Sequence, residues 1–208
     1  MHPNPAFRKE PRDRNLGFAR DRGYGVLSIN GDAAPLISHI PFALSADGTS
    51  ADLHLVRSNP ISRAATGPLP AVIAVTGPDG YISPDWYGDP AQVPTWNYVA
   101  VHLRGTLHPL PDDNLRGSLT RLTELFEARL LPKPPWTLNK TPSDVLARLM
   151  RMIRPFRFDV TEVDGTWKLA QTKPAEARKS AARHLNSAQI GQETALLAAL
   201  MMGVADAE

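Results

Sequence analysis

The chain has 208 residues, 42% of them hydrophobic and 21% charged, with 23 basic against 21 acidic side chains. That length supports one sizeable core, and the near balance of charge excludes the lopsided basic surface of a dedicated DNA-binding domain. The absence of cysteine excludes disulfides, thiolate metal sites and cysteine nucleophiles, and it accords with a reducing compartment.

Met1 to Arg22 is polar and basic. It lacks an apolar stretch of signal-peptide length, and no window approaches about 18 successive apolar residues, so a cytoplasmic protein without membrane contact is expected. Apolar runs in the first two thirds are cut to strand length by Gly and Pro. Strands are expected at Gly25 to Ile29, Pro35 to Phe42, Ala51 to Leu55, Ala71 to Thr76 and Tyr98 to Thr106, with Asn30-Gly31-Asp32 turning the first into the second. The period then changes. Leu115, Leu119, Leu122, Leu125, Phe126 and Leu130 share one helical face within Asp112 to Leu130, and Pro142-Ser143-Asp144 opens a second helix that ends near Pro155. Phe156 to Val163 alternates as a strand, Asp164-Gly165 reads as a turn, and Thr166 to Gln171 as the hairpin partner. An Ala- and Leu-rich helix is expected over about Pro174 to Val204. The fold class is therefore mainly β with helices (α+β), divided into a domain at 1–173 and a helical extension at 174–208.

Two stretches can carry chemistry. Gly77 to Tyr87, followed by Val93 to Tyr98, sets Tyr81, Ser83, Trp86, Tyr87, Trp96 and Asn97 between prolines. It either presents aromatic faces and edge donors to a planar ring or plugs the end of a barrel with satisfied aromatics. His54-Leu55-Val56-Arg57-Ser58-Asn59-Pro60 leaves a strand end as either a phosphate cradle or a solvated turn. His39, next to Ile40-Pro41, is either a ligand contact or a satisfied core histidine. The six histidines lack metal-ligand spacing, so no metal is expected, and no nucleophile elbow, P-loop or GxGxxG occurs.

Four ordered blocks resemble the signature of the PaiB-like negative transcriptional regulators. They are His39-Ile40-Pro41-Phe42, His54-Leu55-x-Arg57-x-Asn59-Pro60, Gly77-Pro78-x-x-Tyr81-Ile82-Ser83-Pro84-x-Trp86-Tyr87, and Val93-Pro94-Thr95-Trp96-Asn97-Tyr98 with Val101-His102 and Gly105. The resemblance covers residues 20–173 and implies an FMN-binding split β-barrel with flanking helices, with flavin held at a homodimer interface. It also implies cofactor contacts from His39, Pro41, His54, Arg57, Ser58, Asn59, Ser83, Trp86, Tyr87, Trp96, Asn97, Lys168 and Gln171. Toward the C-terminus this chain departs from the pattern, with Arg157 where the family has an acidic residue and with Ala170 and Thr172 in place of Ser and Asn. A flavin-binding regulator is the first functional reading, and a flavin-dependent oxidoreductase of the pyridoxamine phosphate oxidase or flavin reductase type is the alternative. DNA remains a possible partner without an evident reader, since the basic stretch at Arg178, Lys179 and Arg183 lacks a helix-turn-helix setting.

Overall fold

The computed structural model describes residues 1–205, so the last three residues of the expected extension lie outside the described residues. Six α-helices and eight strands run in the order α1 (Arg12–Arg22), β1 (Tyr24–Ile29), β2 (Leu36–Pro41), β3 (Ala43–Leu44), β4 (Ser50–Val56), α2 (Pro60–Ala64), β5 (Leu69–Ile82), β6 (Thr95–Pro109), α3 (Leu115–Glu127), α4 (Ser143–Met150), β7 (Ile153–Lys168), α5 (Ala175–Ala188), β8 (Gly191–Gln192) and α6 (Thr194–Met202) among the described residues. The strands form one sheet in the order β2-β1-β5-β6-β7-β4-β3, with β8 paired to β5. The expected α+β class, dominated by antiparallel pairing, is what the chain adopts.

Two compact units divide the chain: one comprises Met1–Asn15, Thr76–Val101 and Asp164–Glu208, the other Leu16–Val75 and His102–Val163. In the second, β1 pairs antiparallel with β2 (Val26↔His39) and with β5 (Val26↔Ala74), and β4 pairs with β7 (Leu53↔Phe156). Alternation along β4 sends Ala51, Leu53 and Leu55 inward, where they meet a core that includes Phe42, Ile73 and Phe158. Each of the Leu, Ile and Phe side chains contributes about 1.5–3 kcal/mol by leaving water. Helix α3 buries Leu115 and Leu122. Arg157, the reversed charge, is held by Asp159, to which its Nε and Nη2 donate at 2.7 and 2.9 Å.

In the first unit, α5 and α6 pack together over Ala181, Leu185, Leu197 and Met201, all fully buried. The single helix expected over Pro174 to Val204 is broken. Gln189 (φ 55°), Gly191 (φ 139°) and Glu193 (φ 50°) take left-handed backbone between the two helices, and Gly191 approaches Asp79 so closely that a Cβ would sit 2.3 Å from its carbonyl oxygen. Propensity favours one long helix, but the apolar faces of α5 and α6 bury only when the chain reverses.

Other boundaries also differ. The Asp164-Gly165 turn does not form: β7 runs unbroken through it, and the glycine is there because a Cβ would lie 2.0 Å from Asn15 Oδ1. Residues Gly77 to Ile82, expected in the stiff loop, continue β5 and pair with β8 at Asp79↔Gln192. Helices α1 and α2 were not anticipated. The first has almost no apolar stripe, while the second carries a legible signal, with Asn59 Oδ1 accepting from Ile61 N at 2.8 Å and Pro60 in the first turn.

Candidate functional site

In the first unit, the stretch Thr95 to Val101 of β6 alternates, so Asn97 faces inward with Val99 and Val101 while Trp96 and Tyr98 face the other way. Asn97 is 1% exposed. It lines a cavity of about 240 Å³ together with Phe7, Tyr87, Thr95, Lys168 and Lys173. That volume is below the range of a whole small-molecule site, about 300–1,000 Å³, so the cavity is too small to enclose such a ligand completely.

Its polar groups are specific. The Asn97 Nδ2 group donates to Met201 Sδ at 3.5 Å, and the amide also hydrogen-bonds to the Tyr87 hydroxyl. Burial pushes the Tyr87 pKa up, and that hydrogen bond partly opposes the rise. The Asn97 Oδ1 is buried without a hydrogen-bond partner. Lys168 Nζ donates to Thr95 Oγ1 at 2.5 Å and lies 5.9 Å from the centre of the Phe7 ring. Burial holds its pKa below the usual lysine value. Lys173 Nζ hydrogen-bonds to Gln92 Oε1. A buried acceptor without a donor and two ammonium donors thus belong to residues that line one cavity.

The N-terminal segment forms one wall. Pro5–Phe7 is a 3₁₀ turn capped by the Asn4 side chain, and it buries Phe7. It is tied to the end of β7 by His2 N to Thr166 Oγ1 at 3.2 Å, by the Arg8–Asp164 ion pair at 2.6 Å and by Gln171 Nε2 to Ala6 O at 3.2 Å.

The expected ligand residues of this unit divide accordingly. Tyr87, Asn97 and Lys168 come together at the cavity. Gln171 does not join them, because its amide serves the backbone: Oε1 accepts from Leu169 N at 2.8 Å and Nε2 donates to Trp167 O at 2.6 Å. Ser83 precedes the 3₁₀ turn Pro84–Tyr87 without a side-chain cap bond. Trp86 stacks on His184, with ring centres 5.7 Å apart and an 11° tilt. Trp96, 47% exposed, meets Tyr81 edge-on at 6.3 Å and lines a separate open groove with Thr76 and Tyr98.

In the second unit, His54 projects from the face of β4 opposite Leu53 and Leu55. Its Nδ1 is buried without a partner, and burial lowers its pKa, which keeps the ring neutral at neutral pH. Arg57 donates its Nε to Arg151 O at 2.9 Å and its Nη2 to Asp112 at 2.7 Å. Ser58 is exposed, and Asn59 Nδ2 donates to Ser38 Oγ at 3.0 Å. His39 and Pro41 lie on β2, His39 exposed and stacked near Tyr24 with 6.4 Å between ring centres.

Phe7, Thr95, Lys173 and Met201 were not anticipated. Lys173 stands two residues past Gln171 in the same polar stretch, which is a usable signal, whereas nothing local marks Phe7 or Met201. Among the described residues, no group of three or more His, Asp or Glu could hold a metal, and no helix is long and apolar enough to cross a membrane.

An antiparallel sheet flanked by helices, in this strand order, is the architecture of the split-barrel class. The chain belongs to the family FMN_bind_2, described as "Putative FMN-binding domain", whose model matches residues 1–162. FMN is accordingly its cofactor class. It is 27% identical over 158 residues to the "Protease synthase and sporulation protein PAI 2" of Bacillus subtilis (strain 168), covering 75% of each chain. Its fold is similar to that of the FAD and heme binding protein of Mycobacterium smegmatis (TM-score 0.56, 19% identity, 78% of this chain and 73% of that one). It also resembles the flavocytochrome Anf3 of Azotobacter vinelandii (TM-score 0.57, 11% identity, 80% and 72%).

Proposed function

We propose that the chain binds FMN across a homodimer interface and acts in the cytoplasm as a PaiB-type negative regulator of transcription, its partners being a second copy of itself, the flavin nucleotide and, through the assembled dimer, DNA. The observation that carries the flavin assignment is the orphaned Asn97 Oδ1 beside Lys168 in a cavity sized for one end of the ligand. The pyrimidine edge of a flavin ring offers an imide N–H between two carbonyls, so Asn97 would accept from the N–H and Lys168 would donate to a carbonyl. A phosphate offers acceptors alone and would leave Asn97 unsatisfied. When bound, flavin supplies electron and hydride transfer. The residues of this chain bind and orient it, and they exclude water with Phe7 and Tyr87.

The phosphate end is assigned to His54, Arg57, Ser58 and Asn59, with His39 and Pro41 beside them in the same unit. Support for dimerisation comes from the second unit, where Tyr24 and Ile37, 55% and 62% exposed, share one face of the β1–β2 pair with His39 and Pro41. Exposed apolar groups grouped around ligand residues are typical of surfaces covered by a second chain. The flavin function is allotted to residues 1–173 and the helical extension to 174–208.

Titration of the purified chain with FMN, followed by flavin fluorescence, is expected to saturate at one FMN per chain. Asn97→Ala should weaken binding about tenfold or more while the apo-protein melts almost unchanged, because an unsatisfied acceptor is removed. A large loss of apo-stability with unaltered affinity would make Asn97 structural. Absence of saturable FMN binding would overturn the reading, and NAD(P)H oxidation by the loaded protein would favour an oxidoreductase.

A further inference from the structure

For Asn97 to read a flavin edge as proposed above, its oxygen, and not its nitrogen, must be the end offered to the ligand. An Asn side chain is nearly symmetric in shape, so its two ends are distinguished only by hydrogen-bond partners. In this chain the deciding partner is a thioether. Met201 is fully buried, and its Sδ lies 3.5 Å from Asn97 Nδ2. A thioether accepts and cannot donate, so turning the amide over would set oxygen lone pairs against sulfur lone pairs and put the N–H groups where the oxygen now finds no donor.

Met201 is itself held. It sits near the end of α6, where its carbonyl accepts from Arg178 Nε at 3.1 Å and the Val204 carbonyl accepts from Arg178 Nη2 at 2.9 Å. Helices α5 and α6 lie beyond residue 162, where the family match ends. The part of the chain outside that match therefore supplies the atom that orients the amide.

We propose that Met201 is a positioning residue which sets the hydrogen-bond polarity of the cavity and makes it select rings with a free imide N–H. This rests on the flavin reading above. With the sulfur in place, Asn97 presents an acceptor to the ligand. Without it, the Tyr87 hydroxyl, which can accept from the amide nitrogen or donate to the amide oxygen, holds either orientation, and discrimination is lost.

The test measures the dissociation constants of FMN and of FMN methylated at its imide nitrogen, for the wild-type chain and for Met201→Leu, which removes the acceptor while conserving volume. Wild type is expected to prefer FMN by about tenfold, the worth of one well-placed hydrogen bond. Met201→Leu should reduce that preference to under about threefold with an apo-protein melting curve close to wild type, a combination that a merely structural role would not produce. Should the Leu variant fold poorly, replacing the methionines with norleucine removes the sulfur at nearly constant shape, and the same loss of preference is expected. A variant that keeps the wild-type ratio overturns the role of Met201 while leaving the flavin reading intact. Equal wild-type affinity for both flavins overturns the polarity argument, and failure of wild type to bind FMN overturns the reading beneath it.

Discussion

Arg57 already has an acceptor for its Nη2 in Asp112 and another for its Nε in the Arg151 carbonyl. A flavin phosphate reaching this guanidinium would displace a carboxylate. Both partners are exposed, so the pair is weak, about 0–1 kcal/mol, and a dianionic phosphate wins the exchange. Arg57→Ala is expected to weaken FMN binding by roughly 1.5–3 kcal/mol, whereas Asp112→Asn should tighten it by up to about 1 kcal/mol by removing the competitor. Dissociation constants unchanged in both variants would move the phosphate elsewhere. His54 makes a separate claim. Burial lowers its folded pKa below the ordinary value, so between the two values the unfolded chain binds a proton that the folded chain does not. Stability is then fully present above the unfolded pKa, near 6.5, and falls as pH drops through that value toward the folded one. Melting of the apo-protein from pH 7.5 to 5 should fall less steeply for His54→Gln, and identical slopes would refute the assignment.

Among the elements, the helix pair α5–α6 depends on one buried cation. Arg178 is 1% exposed, and its guanidinium donates to carbonyls at the C-terminal end of α6, where the helix dipole favours positive charge. Arg178→Met would keep the bulk and remove the donors, leaving those carbonyls unmet. A loss of about 2–4 kcal/mol is expected in urea unfolding with an unchanged m-value, together with weaker FMN binding as Met201 loosens. Undiminished stability would mean that water replaces the guanidinium. The neighbouring strand β6 illustrates a different rule: because side chains alternate, Trp96 and Asn97 lie on opposite faces although they are adjacent in one motif.

At the scale of the whole molecule, the exposed β1–β2 face bears on assembly. The exposed Ile37 shares the β1–β2 face with Tyr24 and His39, and a second copy covering that face would bury it. Ile37→Asp places a charge there without touching the core. Sedimentation is expected to show a dimer for wild type and a monomer for the variant, with FMN affinity falling in parallel. A wild-type monomer at micromolar concentration would sink the shared site.

Local signals were enough to reveal β1, β4 and α3, because alternation and helical period are properties of successive residues, and the ordered blocks around His39, His54, Tyr81 and Asn97 were enough to indicate the family. The continuity of β7 through Asp164-Gly165 and the reversal between α5 and α6 could not be read this way. The first is set by a glycine packed on Asn15, and the second by helices that bury their faces on each other. The cavity is likewise a tertiary product: Phe7, Asn97, Lys168 and Lys173 meet there from distant parts of the chain. Gln171, two residues before Lys173, is spent on backbone carbonyls and an amide. Residue type and spacing state which side chains can bind a flavin, but only packing decides which of them keep a free hydrogen-bonding atom to do it with.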